Sequence, residues 1–242
     1  MSNEFDGRLV VLTGAAGDIG VATARMLAER GARLLLIDPN EEGLQALTAE
    51  LGDGHLAVVS SLDSPDACAH ALAAADTEIY GLVHMAGIFV PHELTAEARG
   101  IYDRTIAANM TNAFDIVCAA TGRLVTDVPA RMVFASSLAF RRGSLDHVAY
   151  SMAKGGIAGF VRALARNLGP RVLVNALAPG VIDTSMPAHI FASRRDQIIA
   201  ETPLKRLGTA EEVAGVVVFL LGPLSTFITG QVINVDGGII NS

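Results

Sequence analysis

Apolar residues follow two different spacings that alternate through the first third of this chain. Short continuous apolar runs lie at 9–12, 33–37, 56–60 and 82–85, and apolar residues recur at helical spacing over 19–30, 41–51 and 65–75. The continuous runs predict buried strands, and the three- or four-residue spacing predicts amphipathic helices. Because strands that alternate with helices are typical of βαβ units, the pattern predicts a parallel sheet.

The same alternation continues to the end of the chain. A long helical stretch runs from Thr95 to about Val125, a helix carries Tyr150, and the remaining elements are strands at 132–135, 172–178 and 232–235 and a helix at 210–221. We therefore expect an α/β fold of the doubly wound, Rossmann-like type, with a mostly parallel seven-stranded sheet and helices on both faces.

The chain shows no sign of division. No linker, charge block or repeat interrupts the pattern, so we expect residues 1–242 to form a single domain. Ser64 before Pro65 predicts a helix N-cap with an N1 proline, and Thr209 to Glu212 predicts a capping box. The irregular stretch at 183–207 is where a substrate loop over a pocket is expected.

Composition and charge exclude several classes of protein. Hydrophobic residues make up 51% and charged residues 18% of the chain, which favours a sheet buried on both faces. No apolar run is as long as a membrane span, and MSNEFDGR lacks the regions of a signal peptide, so we expect a soluble, cytoplasmic protein. A net charge of −7 without a basic patch argues against nucleic acid and membranes as partners. Cys68 and Cys118 show no metal or disulfide spacing.

Tyr150 and Lys154 are the first candidates for chemistry. They stand four residues apart in a helical pattern, so their side chains are neighbours on one helix face. A phenol has an unperturbed pKa of about 10, and a nearby ammonium lowers that pKa by favouring the phenolate. Tyr150 could then exchange a proton with an alcohol or carbonyl whose oxygen Ser137 holds. The alternative is an ordinary helix with a surface tyrosine and lysine.

A glycine-rich segment, TGAAGDIG from Thr13 to Gly20, connects the first strand to the first helix. Such a turn lets backbone N–H groups and the helix dipole meet a pyrophosphate. Asp38 ends the second strand eighteen residues after Gly20, where a carboxylate can bind the ribose of a dinucleotide. A simple tight turn, and an aspartate that only begins the turn at Pro39, are the alternatives. Together the two features favour a dinucleotide site.

With these residues, the chain resembles the short-chain dehydrogenase/reductases of the compact, single-domain type over nearly its whole length. The matching motifs, in the family's order and spacing, are TGAAGDIG, Asp38, Ala86-Gly87, Asn109, Ser137, Tyr150 with Lys154, PGVIDT from Pro179 to Thr184, and VDGG from Val235 to Gly238.

The resemblance implies a catalytic group of four residues. Tyr150 would be the acid/base, Ser137 would steady the substrate oxygen, and Asn109 would hold a water that relays protons to Lys154. Lys154 would lower the pKa of Tyr150 and bind the nicotinamide ribose. The cofactor-binding residues that the resemblance implies are Gly14, Gly17, Asp18, Ile19, Gly20, Asp38, Ser61, Leu62, Ala86, Gly87, Tyr150, Lys154, Pro179, Gly180, Val181 and Thr184. Val181 would hold the carboxamide through its backbone, and Thr184 would bind the same end.

Three positions depart from the family pattern. Asp18 replaces a usual glycine, and it either caps the first helix or repels the pyrophosphate. His84 and Met85 replace asparagines that usually tie adjacent strands together, and we expect His84 to be a satisfied core histidine. Ser61 replaces the acidic residue near the adenine, with Asp63 two residues later.

The leading hypothesis is an oxidoreductase that transfers a hydride between NAD(H) and a secondary alcohol or ketone. Asp38 favours NAD over NADP, because a carboxylate repels a 2′-phosphate and no basic residue lies nearby in the sequence. A catalytically idle dinucleotide-binding subunit, or a relative that catalyses dehydration or epimerisation, are the alternatives. Arg141, Arg142 and His147 could bind an anionic substrate, or the arginines could be solvated. The resemblance also implies a homotetramer.

Overall fold

The fold is organised around one parallel sheet, in a computed structural model that describes residues 4–184 and 194–240. Within these residues the strands are β1 Leu9–Thr13, β2 Arg33–Asp38, β3 Leu56–Val59, β4 Ile79–His84, β5 Ala130–Ala135, β6 Val172–Pro179 and β7 Val232–Val235. They lie in the order β3-β2-β1-β4-β5-β6-β7, and each neighbouring pair is parallel. The predicted seven-stranded, doubly wound α/β fold is confirmed.

Helices connect the strands and cover both faces of the sheet. They are α1 Asp18–Ala28, α2 Glu41–Leu51, α3 Pro65–Ala73, α4 Arg99–Ile106, α5 Asn112–Ala120, α6 Ala139–Arg142, α7 Val148–Leu168, α8 Arg195–Glu201 and α9 Ala210–Leu221. Short 3₁₀ turns lie at Ala96–Ala98, Thr121–Arg123 and Pro223–Ser225. α1 packs against α9 on one face, whereas α3 packs against α5 on the other.

The central strands are mostly apolar because helices bury both of their faces. Every residue of β1 and β4 is buried, whereas the edge strand β3 alternates between half-buried and exposed positions. β4 begins at Ile79, three residues earlier than predicted, because Gly81 belongs to the strand. A Cβ on Gly81 would lie 3.1 Å from the side chain of Leu221, so the glycine admits α9 against the sheet.

The helical stretch predicted from Thr95 to about Val125 is present, but it is not a uniform α-helix. A π-helical turn at Ala107–Thr111 separates α4 from α5 and contains Asn109. Single π-turns inside α-helices are rare and occur frequently at functional sites.

The strand order reverses between β1 and β4, because β2 lies on one side of β1 and β4 on the other. The loops that follow these two strands therefore run in opposite directions and leave a crevice at the carboxyl end of the sheet. None of the helices in the part of the chain described is both long and apolar enough to cross a membrane.

Candidate active site

A cavity of about 600 Å³ opens in this crevice. Of the site residues predicted from the sequence, it is lined by Gly14, Gly17, Asp18, Ile19, Gly20, Gly87, Asn109, Ser137, Tyr150, Lys154, Pro179, Gly180, Val181 and Thr184. Asp38, Ser61, Leu62 and Ala86 are not part of its lining. The predicted substrate loop at 183–207 contributes Thr184, Arg194 and Ile198, and residues 185–193 of that loop lie outside the described residues.

Two glycines in the turn after β1 are required by close backbone contacts. Gly14 has a φ of +67°, and a Cβ there would lie 2.7 Å from the backbone nitrogen of Ala86. A Cβ on Gly20 would overlap the carbonyl oxygen of Gly14. The turn is therefore tight enough to bring the start of α1 to the cavity, where the first N–H groups of a helix have no acceptor within it.

Asp18 is the first residue of α1 and not its N-cap, which corrects the capping expectation. The helix begins one residue earlier than predicted, because the backbone N–H of Val21 donates to the carbonyl of Gly17 at 2.8 Å. Gly17 is the N-cap residue, and as a glycine it has no side chain that could cap the helix. Asp18 still lies in the first turn, where the helix dipole favours a carboxylate.

Asp38 ends β2 beside the glycine-rich turn. Its Oδ2 accepts a hydrogen bond from the backbone N–H of Ala16 at 3.1 Å, and its Oδ1 accepts one from Asn40 at 2.9 Å. The second bond supports the turn that follows β2, and the first ties the carboxylate to the turn that precedes α1. A carboxylate offers about four acceptor positions, so Asp38 can accept further hydrogen bonds from hydroxyl groups.

Ser61 and Leu62, predicted near the adenine, lie in the loop after β3. The Ser61 hydroxyl donates to the carboxylate of Asp63 at 2.8 Å, so the two polar side chains act as one group. Leu62 has a φ of +53°, its side chain is buried in the core, and its N–H donates to the Ser60 hydroxyl. Their role toward an adenine therefore stays a prediction.

Residues after β6 form the opposite wall. A Cβ on Gly180 would lie 2.8 Å from the Cα of Asp236, so only glycine lets this loop pack against the segment after β7. The Val181 carbonyl accepts from the N–H of Gly208 at 3.1 Å, which fixes the backbone predicted to hold a carboxamide. The Thr184 hydroxyl donates to the carbonyl two residues before it at 3.4 Å.

The four predicted catalytic residues come together at the centre of the cavity. Tyr150 and Lys154 lie one turn apart on α7, and the Lys154 Nζ is 5.4 Å from the centre of the Tyr150 ring. Lys154 is buried and donates to the Ala135 carbonyl at 3.0 Å. Ser137 follows β5 and is hydrogen-bonded to the Tyr150 phenol.

The pKa of Tyr150 shifts in the direction opposite to the one expected from the ammonium alone. Burial raises the pKa of the phenol, and the hydrogen bond with Ser137 acts against that rise. Burial also lowers the pKa of Lys154 to about 8. Both shifts follow from desolvation, which disfavours the charged form of each group.

Asn109 is held by the π-turn in one orientation. Its Nδ2 donates to the carbonyls of Ile88 and Thr105, both at 2.9 Å, and only the nitrogen end of an amide can face two carbonyls. Its Oδ1 therefore points toward Gly87, where it is buried and has no hydrogen-bond partner among the described residues. A Cβ on Gly87 would also lie 3.3 Å from the Lys154 Nζ, so this acceptor and the ammonium face the same glycine.

His84 is a satisfied core histidine, as expected. It lies at the end of β4, its Nδ1 is 2.9 Å from the Thr13 hydroxyl of β1, and its Nε2 is 3.3 Å from the Asn112 Oδ1. Burial first, and then the charge of Lys154, lower the pKa of His84 to about 3, although the bond to Asn112 acts against this. The histidine therefore connects β4 to β1 through its side chain. The asparagines that usually occupy this position in the family connect adjacent strands in the same way.

His147 does not face the cavity, which corrects its proposed role in binding an anion. It is buried, and its ring stacks on Phe89 with 3.7 Å between ring centres. Phe89 in turn meets the edge of Tyr150 at 4.8 Å. Phe89 lines the cavity and was not named as a site residue, although it lies in the segment after Gly87 where a pocket wall was expected.

The arginines near the cavity mouth differ in position. Arg142 lines the cavity and pairs with Glu201 at 3.1 Å, and the two side chains are 34% and 39% exposed. Arg194 also lines the cavity. Arg141 is exposed and lies over the ring of Phe140 at 4.9 Å, away from the lining.

These features fit a dinucleotide cofactor. Gly14, Gly17 and Gly20 line one end of the cavity, where α1 begins, and Asp38 is hydrogen-bonded to the neighbouring Ala16. At the other end of the cavity, the Asn109 Oδ1 is buried near Lys154, and none of the residues that the structure describes is hydrogen-bonded to it. The residues of the first region would hold the phosphates and ribose, and those of the second would serve proton transfer.

Comparison with known proteins identifies similar chains along almost the whole length. A family model described as "Enoyl-(Acyl carrier protein) reductase" matches residues 14–240. The 3-oxoacyl-(acyl-carrier-protein) reductase of Vibrio cholerae is 32% identical over 239 residues, which are 97% of this chain and 98% of the relative.

Solved structures show the same similarity. A crystal structure described as short-chain dehydrogenase/reductase, glucose/ribitol dehydrogenase, from Brucella melitensis is 35% identical with a TM-score of 0.95, and all of both chains is covered. A variant of actinorhodin polyketide ketoreductase with NADPH is 27% identical with a TM-score of 0.92, again over both whole chains.

Proposed function

This chain belongs to the short-chain dehydrogenase/reductase family of oxidoreductases, and from that membership we propose that it interconverts a secondary alcohol and a ketone with NAD(H). The observation that supports this most directly is the meeting of Tyr150, Lys154, Ser137 and Asn109 around one cavity. The cofactor supplies the hydride chemistry when it is bound. The protein supplies orientation and the proton.

Tyr150 is the proton donor in the direction of ketone reduction. Because burial raises its pKa, the side chain is a phenol at neutral pH and carries the proton that a developing alkoxide needs. Ser137 hydrogen-bonds both the phenol and, in this proposal, the substrate oxygen, which aligns donor and acceptor. In the reverse direction the same pair accepts the proton of the alcohol.

Lys154 and Asn109 return the proton to Tyr150. Lys154, with a pKa of about 8, can lose and regain a proton near neutral pH. A water held by the unpartnered Oδ1 of Asn109 would connect Lys154 to solvent, because that buried acceptor needs a donor. The Lys154 bond to the Ala135 carbonyl keeps its ammonium in place between the two.

The cofactor that we propose is NAD(H), and Asp38 is the reason. Its carboxylate lies beside Ala16 of the glycine-rich turn, where it would accept hydrogen bonds from ribose hydroxyls and repel a 2′-phosphate. One similar structure contains NADPH, so the cofactor preference of this chain has to be measured and not transferred.

The substrate end is mainly apolar with cations at its mouth. Ile88, Phe89 and Leu145 line this end, together with Arg142 and Arg194. We expect a substrate whose carbonyl has an apolar neighbour and whose far end tolerates or carries negative charge. The relatives named above are a reductase, a dehydrogenase and a ketoreductase, so their names suggest carbonyl chemistry without fixing the substrate.

The experiment that tests this function is NADH oxidation with a panel of acidic and neutral ketones. We expect turnover with at least one of them. NADH binding without turnover across the panel would favour the idle-subunit alternative, although an idle protein has no physical need for all four catalytic residues together.

We also propose that the protein is a homotetramer. Phe114 and Met152 are exposed on the face of α5 and α7, and Phe227 is fully exposed beyond α9. Large apolar side chains on the surface indicate contacts with other chains. Light scattering at micromolar concentration should give the mass of four chains, and the mass of one chain would contradict the proposal.

A further inference from the structure

A chain of buried hydrogen bonds runs from the loop after β4 to the π-turn. The Ala86 N–H donates to the Thr13 Oγ1 at 3.4 Å, and that hydroxyl lies 2.9 Å from the His84 Nδ1. The His84 Nε2 lies 3.3 Å from the Asn112 Oδ1, and the Asn112 Nδ2 donates to the Ala108 carbonyl at 2.9 Å. The three side chains are between 0% and 3% exposed.

The partners fix the direction of every bond in this chain. Because the Asn112 Nδ2 faces a carbonyl, its Oδ1 must face His84, and an amide oxygen can only accept. The His84 Nε2 therefore carries the hydrogen, and Nδ1 is an acceptor for the hydroxyl hydrogen of Thr13. Thr13 then accepts from Ala86 with its remaining capacity. Position 84, between Thr13 and Asn112, therefore requires a side chain that has one hydrogen-bond donor and one acceptor.

Both ends of the chain reach the surroundings of Asn109. The Ala108 carbonyl and the Asn109 N–H belong to one planar peptide group, so fixing the carbonyl fixes the backbone of Asn109. At the other end Ala86 precedes Gly87, which the Asn109 Oδ1 and the Lys154 Nζ both face. We propose that His84 is a positioning residue, which holds the peptide before Asn109 and the loop before Gly87 at one fixed separation.

This inference rests on the proposed function, because Asn109 matters only if Lys154 relays protons. If it is correct, loss of the histidine should lower kcat while cofactor binding changes little, since the effect acts through Asn109 and not through the glycine-rich turn. A role in stability alone would lower the melting temperature without changing the kcat of the folded fraction.

The test uses His84→Leu, Asn112→Leu, their combination, and His84→Gln, whose amide has a donor and an acceptor. We expect each leucine variant to lower kcat roughly tenfold or more, and the double variant to be no worse than the poorer single variant, because residues that act as one unit are non-additive. His84→Gln should recover kcat to within about threefold of the wild type. His70→Leu, at an exposed position of α3, is the matched control and should behave as the wild type.

Hydrogen exchange, measured in two sets of variants, keeps the inference separate from the proposed function. Hydrogen exchange of the segment 105–113 should become faster in His84→Leu and stay protected in His84→Gln, whether or not a substrate is known. Thr13→Val and Thr13→Ser form a gentler pair if the leucine variants do not fold, and only the valine variant should show the faster exchange. Unchanged exchange, multiplied kcat losses in the double variant, or a glutamine variant no better than leucine would overturn the inference. Changed exchange in a protein without any turnover would support the positioning role and reject the proposed function instead.

Discussion

The two ends of the cavity are held in different ways. At the cofactor end, the contacts that define the shape involve the backbone: Gly20 lies against the Gly14 carbonyl, and Asp38 accepts from two backbone N–H groups. At the substrate end, charged side chains on short elements pair with each other and remain about one-third exposed, as Arg142 and Glu201 do. The first end depends on how the sheet is built, whereas the second depends on which side chains are present.

This difference predicts different responses to substitution. A change that disturbs backbone packing at the cofactor end should affect folding and every substrate alike. A change at the substrate end should be graded and specific to one class of substrate. Tyr150 and its partners lie between the two ends. Substitutions there should lower kcat without disturbing folding and without selecting one class of substrate.

The largest effect should come from Tyr150→Phe. The variant keeps the ring that meets Phe89 edge-on and removes only the hydroxyl that Ser137 contacts. Loss of general acid–base catalysis typically costs ~10² to 10⁴ in rate. We expect such a loss in kcat, with NADH affinity measured by fluorescence titration close to that of the wild type. Retention of more than half of the wild-type kcat would contradict the assignment of Tyr150 as the proton donor.

The next effect separates the cofactors. We expect kcat/KM for NADH to exceed that for NADPH by on the order of 10², because like charges at the 2′ position cost several kcal/mol. Asp38→Ala should reduce this ratio and leave the kcat with saturating NADH nearly unchanged. Glu42→Gln, which removes the same charge from an exposed position on α2, is the control. Equal efficiency with both cofactors in the wild type would mean that Asp38 does not face the ribose.

A pair of glycine variants tests the backbone contacts at the cofactor end. Gly20→Ala places a Cβ on the Gly14 carbonyl oxygen, whereas a Cβ at Gly17 lies 3.5 Å from the same oxygen, an ordinary contact. Overpacking typically costs 1–3 kcal/mol, so we expect Gly20→Ala to lower the melting temperature by roughly 2–4 °C per kcal/mol and to weaken NADH binding. Gly17→Ala should lower the melting temperature much less, because its Cβ makes no close backbone contact. Equal melting temperatures would show that the turn can relax.

Much of this fold was predictable because its signals are local. The helices Glu41–Leu51 and Ala210–Leu221 lie at the predicted residues, and the predicted capping box of Thr209 and Glu212 is present. β4 begins three residues before the predicted position 82, and a glycine such as Gly81 is a weak strand signal in a sequence. What makes it a strand residue is its pairing with Val10 of β1 and Arg131 of β5, both of which are distant in the chain.

The sequence indicated candidate site residues, but it could not indicate their burial or their pKa values. Spacing along the chain predicted Tyr150 and Lys154, and the family resemblance added Asn109, yet the rise in the pKa of Tyr150 comes from burial that the sequence does not display. Similarly, the burial of His147 depends on Phe89, a residue 58 positions earlier in the chain. Such properties arise from tertiary contacts, so they could not be assigned from residue type and spacing.

The smallest effect should appear at the substrate end, with Arg142→Ala. Arg142 lines the cavity, and its ion pair with Glu201 uses one nitrogen, so other donors of the guanidinium could bind an anionic substrate. Because the side chain is one-third exposed, water screens its charge, and we expect KM for acidic ketones to rise only roughly twofold to fivefold with kcat little changed. Neutral ketones should show no change in KM. Arg141→Ala removes the same charge from the adjacent residue, which lies over Phe140 outside the cavity lining, and it should alter neither KM. If the KM values for acidic and neutral ketones change alike in both variants, Arg142 is a surface arginine, and the substrate end selects ketones by their shape and not by their charge.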